Sequence, residues 1–223
     1  MPSLTNLSYI KELSQKYGFT FEKKFGQNFL VNPSVCPRMA ENCGIDENTG
    51  VIEIGTGVGV LTAELAKRAK KVVAIEIDTD LKELLKETLG EYDNIEIIFD
   101  DVLNVDLNAL IEEKFKGMPV VVCANLPYYI TSPIIMKLLE DRLNVENITV
   151  MVQKEAAQRL CARQQSRDIG AISLAVQYYS DPQMCFTVSP GSFYPAPKVT
   201  SSVIKLVVKK ENDIKPKNEK NMF

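Results

Sequence analysis

From residue 51 onward the chain alternates between short, almost wholly apolar runs and stretches in which apolar residues recur every three or four positions. The runs at 51–54, 72–76, 95–99, 120–124 and 148–153 predict strands buried on both faces. The helical spacing predicts helices over 61–69, 80–89, 133–143 and 154–163. Strands and helices in that alternation build a mostly parallel sheet covered on both sides. The end of the pattern differs: residues 184–188 and 203–208 predict two more strands with only a Pro/Gly-rich loop between them. They imply an antiparallel hairpin added to the parallel sheet, seven strands in all, and an α/β fold.

Ahead of this pattern, residues 5–17 predict an amphipathic helix and residues 23–30 a loop with little periodicity. A second helix is expected from Asn32-Pro33-Ser34, with the proline in its first turn, to about Cys43-Gly44. Residues 211–223 are polar and carry no core pattern, so they read as a linker. The expected organisation is a helical extension over 1–50, a main domain over 51–210 and a linker over 211–223.

Composition narrows the chemistry. The chain of 223 residues contains no histidine, which excludes Ser-His-Asp and Cys-His catalysis and removes the commonest metal ligand. Five scattered cysteines, Cys36, Cys43, Cys123, Cys161 and Cys185, form no C-x-x-C pair. They favour a reducing cytoplasm over a zinc site or a disulfide framework, so no metal is expected. No apolar run approaches the roughly 20 residues of a membrane span. Net charge is −3, but unevenly spread: residues 1–150 carry 15 Lys+Arg against 23 Asp+Glu, and residues 151–210 carry 8 against 3. The basic third permits an anion-binding face, although chance clustering of surface lysines reads as well on charge alone.

Glu53-Ile54-Gly55-Thr56-Gly57-Val58-Gly59 runs a strand into a glycine turn and then a helix. Glycine serves where backbone turns sharply or approaches a ligand closely. The spacing fails the dinucleotide fingerprint, because Val60 stands where the third glycine belongs. A tight turn with no ligand is the lesser reading of a glycine loop in this context. Glu76 ends the next strand, where a carboxylate can accept from both hydroxyls of a ribose. Asp101 follows the third strand, where it can accept from an adenine amino group. Three successive strand ends therefore describe a pocket for an adenosine whose attached group is not a pyrophosphate.

The fourth strand runs into Asn125-Leu126-Pro127-Tyr128-Tyr129. The Asn125 side-chain oxygen and the Leu126 carbonyl can both accept N–H bonds from one exocyclic amine. Pro127 fixes its own φ and holds Leu126 extended, which aims that carbonyl outward. Tyr128 offers a face on which a base can stack. Two acceptors on the hydrogens of adenine N6 bias a poor nucleophile toward a tetrahedral, reactive nitrogen, and they need no histidine. Tyr129 reads as an aromatic that fills core space, so its loss is expected to touch stability rather than chemistry. In a second aromatic-proline segment, Ser192-Phe193-Tyr194-Pro195-Ala196-Pro197-Lys198-Val199, Phe193 is placed to close over the other face of the same base.

These segments, with Phe25-Gly26-Gln27-Asn28-Phe29-Leu30 and Val152-Gln153-Lys154-Glu155, resemble the ribosomal RNA adenine dimethyltransferases, most closely the bacterial small-subunit (KsgA-type) branch. The resemblance runs from about residue 25 to residue 208. It implies a Rossmann-like class I S-adenosylmethionine-dependent methyltransferase. The implied reaction is N6,N6-dimethylation of two adjacent adenosines near the 3′ end of small-subunit ribosomal RNA. It also implies ribosome biogenesis in the cytoplasm, a monomer, direct displacement at the sulfonium methyl and no metal. Carried over residue by residue, Asn28, Leu30, Gly55, Gly57, Glu76, Asp101 and Asn125 become cofactor contacts. Asn125, Leu126, Pro127, Tyr128 and Phe193 become the catalytic set. Lys154, Arg159, Arg163, Arg167 and Lys198 become phosphate contacts on the RNA. Family members continue into a small helical domain after the linker, whereas this sequence stops at Phe223, which bears on how well it holds the ribosomal substrate. Three rivals remain: the large-subunit, macrolide-resistance methyltransferase; a non-catalytic RNA-binding factor on the same fold; and a nicotinamide dehydrogenase, which Val60 and the asparagine–proline–tyrosine loop oppose.

Overall fold

The computed structural model describes residues 2–18, 28–163 and 166–210. The expected linker, and the Phe25-Gly26-Gln27 part of the family segment, lie outside the described residues. A seven-stranded sheet runs through the molecule. It is formed by β2 (Gly50–Ile54), β3 (Lys71–Glu76), β4 (Ile95–Phe99), β5 (Val120–Asn125), β6 (Asn147–Gln153), β7 (Ser180–Val188) and β9 (Ser201–Val208). Its order is β4-β3-β2-β5-β6-β9-β7, with the first five strands parallel and the last two antiparallel. β2 and β5 are buried at all but one position, as a strand covered on both faces must be, and this explains their unbroken apolar runs. β4, at the edge, is only half-buried throughout.

The helices on the two faces are α2 (Val35–Cys43), α3 (Val60–Ala66), α4 (Lys82–Leu89), α5 (Leu107–Lys114), α6 (Thr131–Glu140), α7 (Lys154–Leu160) and α8 (Ala171–Tyr179). One apolar cluster joins α5, α6 and α8 to one face of the sheet, and another joins α2 and α3 to the other. The N-terminal helix α1 (Leu7–Tyr17) is capped by the Asn6 side chain, which accepts from the Ser8 and Tyr9 amides. It packs through Leu13 beside Leu84, Leu85 and Leu89 of α4.

Several sequence expectations are corrected. Pro33 precedes α2 rather than lying in its first turn, because the helix begins at Val35. α7 stops at Leu160, short of Arg163, and α5 and α8 were not anticipated. The loop expected at 23–30 ends in a short strand, β1 (Phe29–Leu30), which pairs antiparallel with β8 (Phe193–Tyr194). Tyr129 does not fill the core; it is 63% exposed.

The chain order sets where a ligand can sit. From β2 the chain winds outward through β3 to β4, then crosses to β5 on the opposite side of β2. Such a reversal leaves a crevice beyond the carboxyl ends of the two central strands.

Candidate active site

The crevice is occupied by an open cleft with about 1110 Å³ of non-protein space. Asn28, Leu30, Gly55, Gly57, Glu76, Asp101, Asn125, Leu126, Pro127, Tyr128 and Phe193 all line it. Each lies at a strand end or directly beside one, so the topology gathers residues that lie up to 165 positions apart.

The glycine turn after β2 is built for backbone. Gly55 has φ 78°, and a Cβ placed there would meet nothing within 4 Å, so its side chain position faces open cleft. Gly59 has φ 89°, and its Cβ would come within 2.9 Å of Leu89 on α4, so that glycine serves packing. Glu76 ties the turn down. Its Oε2 accepts from the Thr56 amide at 2.8 Å, the Thr56 hydroxyl at 2.9 Å and the Gly57 amide at 3.1 Å. Its Oε1 accepts from the Asp78 amide at 2.9 Å. A carboxylate oxygen has about two lone-pair sites, so Oε2 is saturated and capacity for a ribose hydroxyl remains on Oε1. The expected two-hydroxyl grip of Glu76 is thereby narrowed, because the same carboxylate shapes the loop. Asp101 is held by the Leu103 amide, which donates to its Oδ1 at 2.9 Å.

On the other side of the cleft, Asn125 closes β5 opposite Met151 of β6. Among the described residues no hydrogen bond engages its side chain, which is half-buried. The Leu126 amide donates to the Met151 carbonyl at 3.2 Å, and Leu126 is 1% exposed. Pro127, at φ −60° and ψ 135°, turns the chain into a single 3₁₀ turn over Tyr128–Ile130. The phenol of Tyr128 hydrogen-bonds the Ser201 hydroxyl at 2.7 Å, joining this loop to the first residue of β9. Burial pushes the Tyr128 hydroxyl above its ordinary pKa, while the Ser201 bond acts in the opposite direction.

Phe193 is 4% exposed and pairs through its backbone with Leu30, and the Ser192 carbonyl accepts from the Val31 amide at 2.9 Å. It lies in a paired strand and forms a wall of the cleft, rather than sitting in an unpaired loop. The basic residues lie elsewhere: Lys154, Arg159, Arg163, Arg167 and Lys198 are exposed and none lines the cleft. The Lys154 amide donates to the Thr200 carbonyl at 2.9 Å, so Lys154 stands beside the segment that carries Lys198.

Sequence reasoning missed four contributors. Ser201 acts through Tyr128 across 73 positions, which no local pattern reveals. Thr56 brings two donors to Glu76. Ile77 lines the cleft while 47% exposed, and Tyr129 does so at 63%. For Ile77 a signal existed, an apolar residue directly after the strand-ending acid.

Among the described residues, every charged one lining the cleft is acidic: Glu76, Asp100 and Asp101. Acceptors without a cation suit a nucleoside carrying positive charge, and they repel a pyrophosphate. Together with the open Gly55 position, this donor set fits S-adenosylmethionine and opposes a nicotinamide dinucleotide. Among the described residues no group of three or more His, Cys, Asp or Glu is placed to hold a metal ion. No described helix is long and apolar enough to cross a membrane.

Comparison with known proteins agrees with this chemistry. The chain is 48% identical over 206 residues to the ribosomal RNA small subunit methyltransferase A of Alkaliphilus oremlandii (strain OhILAs), a match covering 92% of this chain and 72% of that protein. A dimethyladenosine transferase from Plasmodium falciparum superposes with a TM-score of 0.71 at 33% identity, covering 82% of this chain and 64% of the other. The 23S rRNA methyltransferase ErmE superposes with a TM-score of 0.71 at 30% identity, covering 85% and 73%. The description "Ribosomal RNA adenine dimethylase" matches residues 18–223. The chain therefore belongs to the ribosomal RNA adenine dimethylase family.

Proposed function

We propose that this protein is an S-adenosylmethionine-dependent rRNA adenine N6-dimethyltransferase acting on two adjacent adenosines near the 3′ end of small-subunit ribosomal RNA, in ribosome biogenesis. One observation carries the reading. The unengaged Asn125 amide stands across a single cleft from the acceptor set Glu76 and Asp101, with no basic side chain among the described lining residues.

S-adenosylmethionine supplies, when bound, an electrophilic methyl on a positively charged sulfur. Asp101 takes the adenine end of that nucleoside, Glu76 Oε1 takes a ribose hydroxyl, and Asn28, Leu30, Gly55 and Gly57 complete its walls. The target adenine enters past Tyr128. The Asn125 oxygen and the Leu126 carbonyl accept its N6 hydrogens, and Tyr128 and Phe193 bound its ring. N6 would accept the methyl that the sulfonium supplies, leaving a neutral thioether, and its N–H proton would pass to water in the open cleft; a second cofactor would allow the other hydrogen to be replaced in the same way. The two acceptors bind more strongly as N6 gains positive charge, so their effect falls on the rate rather than on substrate affinity. Lys154, Arg159, Arg163, Arg167 and Lys198 hold RNA phosphates outside the cleft. We place the protein in the cytoplasm, as a monomer, with the small ribosomal subunit or its precursor as partner.

The large-subunit reading is weaker, since ErmE is 30% identical where the small-subunit enzyme of A. oremlandii is 48%. A purely structural RNA-binding role would not require the unengaged Asn125 or the acidic cleft. The test is transfer of labelled methyl to undermethylated small and large subunits in parallel. Label in small-subunit RNA at N6-dimethyladenosine is expected. Label confined to large subunits, or none beside an active control enzyme, overturns the reading.

The Tyr128–Ser201 bond gives a second expectation. A hydrogen bond of this kind is worth about 0.5–1.5 kcal/mol, so Tyr128→Phe and Ser201→Ala should each slow transfer about 2- to 10-fold. Because both remove the same bond, the double variant should be no slower than the worse single one. Multiplying effects in the double variant would show that the two side chains act separately.

A further inference from the structure

Tyr129 is the one aromatic side chain among the described residues left mostly in solvent, 63% exposed, and it sits at the mouth of the cleft. Its position is not slack. The Pro127 carbonyl accepts from the Ile130 amide at 3.3 Å and from the Thr131 hydroxyl at 3.1 Å, and Thr131 is itself 3% exposed. On the preceding residue, the Tyr128 phenol is tied to Ser201 at 2.7 Å. A 3₁₀ turn pinned at both ends thus presents one ring inward along the cleft wall and the next ring outward. Burying the outward ring would have been the ordinary outcome for a tyrosine in an apolar segment, and among the described residues no hydrogen bond or ring contact engages it.

We infer that Tyr129 is a stacking platform for the nucleotide adjoining the flipped adenosine, an inference that rests on the RNA-methylating reading above. Extruding a base from its stack removes a face from each neighbour. A rigid aromatic plane beside the entry point replaces that face and keeps the neighbour from drawing the target back. The contact is sequence-tolerant, because every base presents a π-face. It also differs in kind from the lysine and arginine contacts, which grip phosphates and weaken with salt.

The experiment compares Tyr129→Phe, Tyr129→Leu and Tyr129→Ala with the wild type on undermethylated small subunits. The readouts are kcat/KM, cofactor affinity and Tm. Leucine keeps apolar bulk but loses the plane. The expected result is about a tenfold fall in kcat/KM for both Leu and Ala, the equivalent of about 1.4 kcal/mol of stacking. Tyr129→Phe keeps the plane and is expected to retain most of the rate. Cofactor affinity, Tm and the slope of rate against salt should match the wild type in all three. Wild-type activity with an undiminished Ala variant overturns the platform. So does a Leu variant as fast as Phe, which would mean simple apolar cover, or a loss in Phe equal to that in Ala, which would mean a hydroxyl contact. A fall in Tm that parallels the loss of rate would mean a structural role. A wild type that methylates no small subunits counts instead against the proposed function.

Discussion

Asn125→Ala is expected to lower kcat for methyl transfer by about 10²–10³-fold, the range found when one preorganised acceptor or donor is removed from a developing charge. Folding should be nearly untouched, since no described residue hydrogen-bonds the Asn125 side chain and it is only half-buried. The loss should lie in kcat, with binding of small subunits little changed, because the amide tightens on N6 only as the nitrogen becomes tetrahedral. Asn125→Asp keeps a side-chain acceptor at the end of β5 and should recover part of the rate. Single-turnover transfer by the three proteins at saturating cofactor is the measurement. Asn125→Ala within tenfold of wild type would remove the amine-gripping role from this site.

The second large effect concerns stability. Glu53, in the middle of β2, is 0% exposed, and among the described residues neither of its carboxylate oxygens has a hydrogen-bond partner. Its pKa is pushed up to about 8, by burial first; the nearby Thr62 hydroxyl works against that shift and the Glu76 charge adds to it. The folded protein therefore holds a proton on Glu53 that the unfolded chain releases near the ordinary value of 4.5. Stability from this proton is complete below that value and is lost as pH rises through about 8. Each tenfold change in proton affinity is worth about 1.4 kcal/mol, so the loss amounts to several kcal/mol. Glu53→Gln carries no such proton. The Tm difference between variant and wild type should open with pH between about 5 and 9 in favour of glutamine, reaching on the order of 10 °C. Two curves that stay parallel across that range would mean Glu53 is not protonated in the folded state.

The strands were legible in the sequence because parallel pairing buries them on both faces, which leaves continuous apolar runs cut off by Gly55, Asp100 or Asn125. Their bounds shift by only a residue or so for β2 to β6. α5 was missed although its signal is present: the Asp106 side chain accepts from the Ala109 amide, and Leu107, Leu110 and Ile111 have helical spacing. α8 is harder to read. α6, α7 and β7 pack against one side of Ala-Ile-Ser-Leu-Ala-Val-Gln-Tyr-Tyr, but Leu174, 48% exposed, puts an apolar residue on the outer side as well, and that hides the periodicity. At the site, residues that follow strand ends could be placed, since strand ends converge in this topology. Long-range ties could not. Nothing local joins Phe193 to Leu30 or Tyr128 to Ser201, and so Phe193 was expected in a loop where the structure has it in the short strand β8. Tyr129 was misjudged because two adjacent aromatics look alike in sequence, while the 3₁₀ turn sends them in different directions.

The placement of β9 has a consequence for synthesis. Among the described residues β9 is the last strand, yet it lies inside the sheet, between β6 and β7. A nascent chain lacking residues 201–208 has an unpaired β6 edge, and β7 has nothing to pair with. It also lacks Ser201, the tether of Tyr128. Contacts that span so much sequence form late, after the loop between them has closed. The cleft is thus the final part of the domain to become whole. A nascent chain that ends before Ser201 is therefore expected to lack a complete cleft.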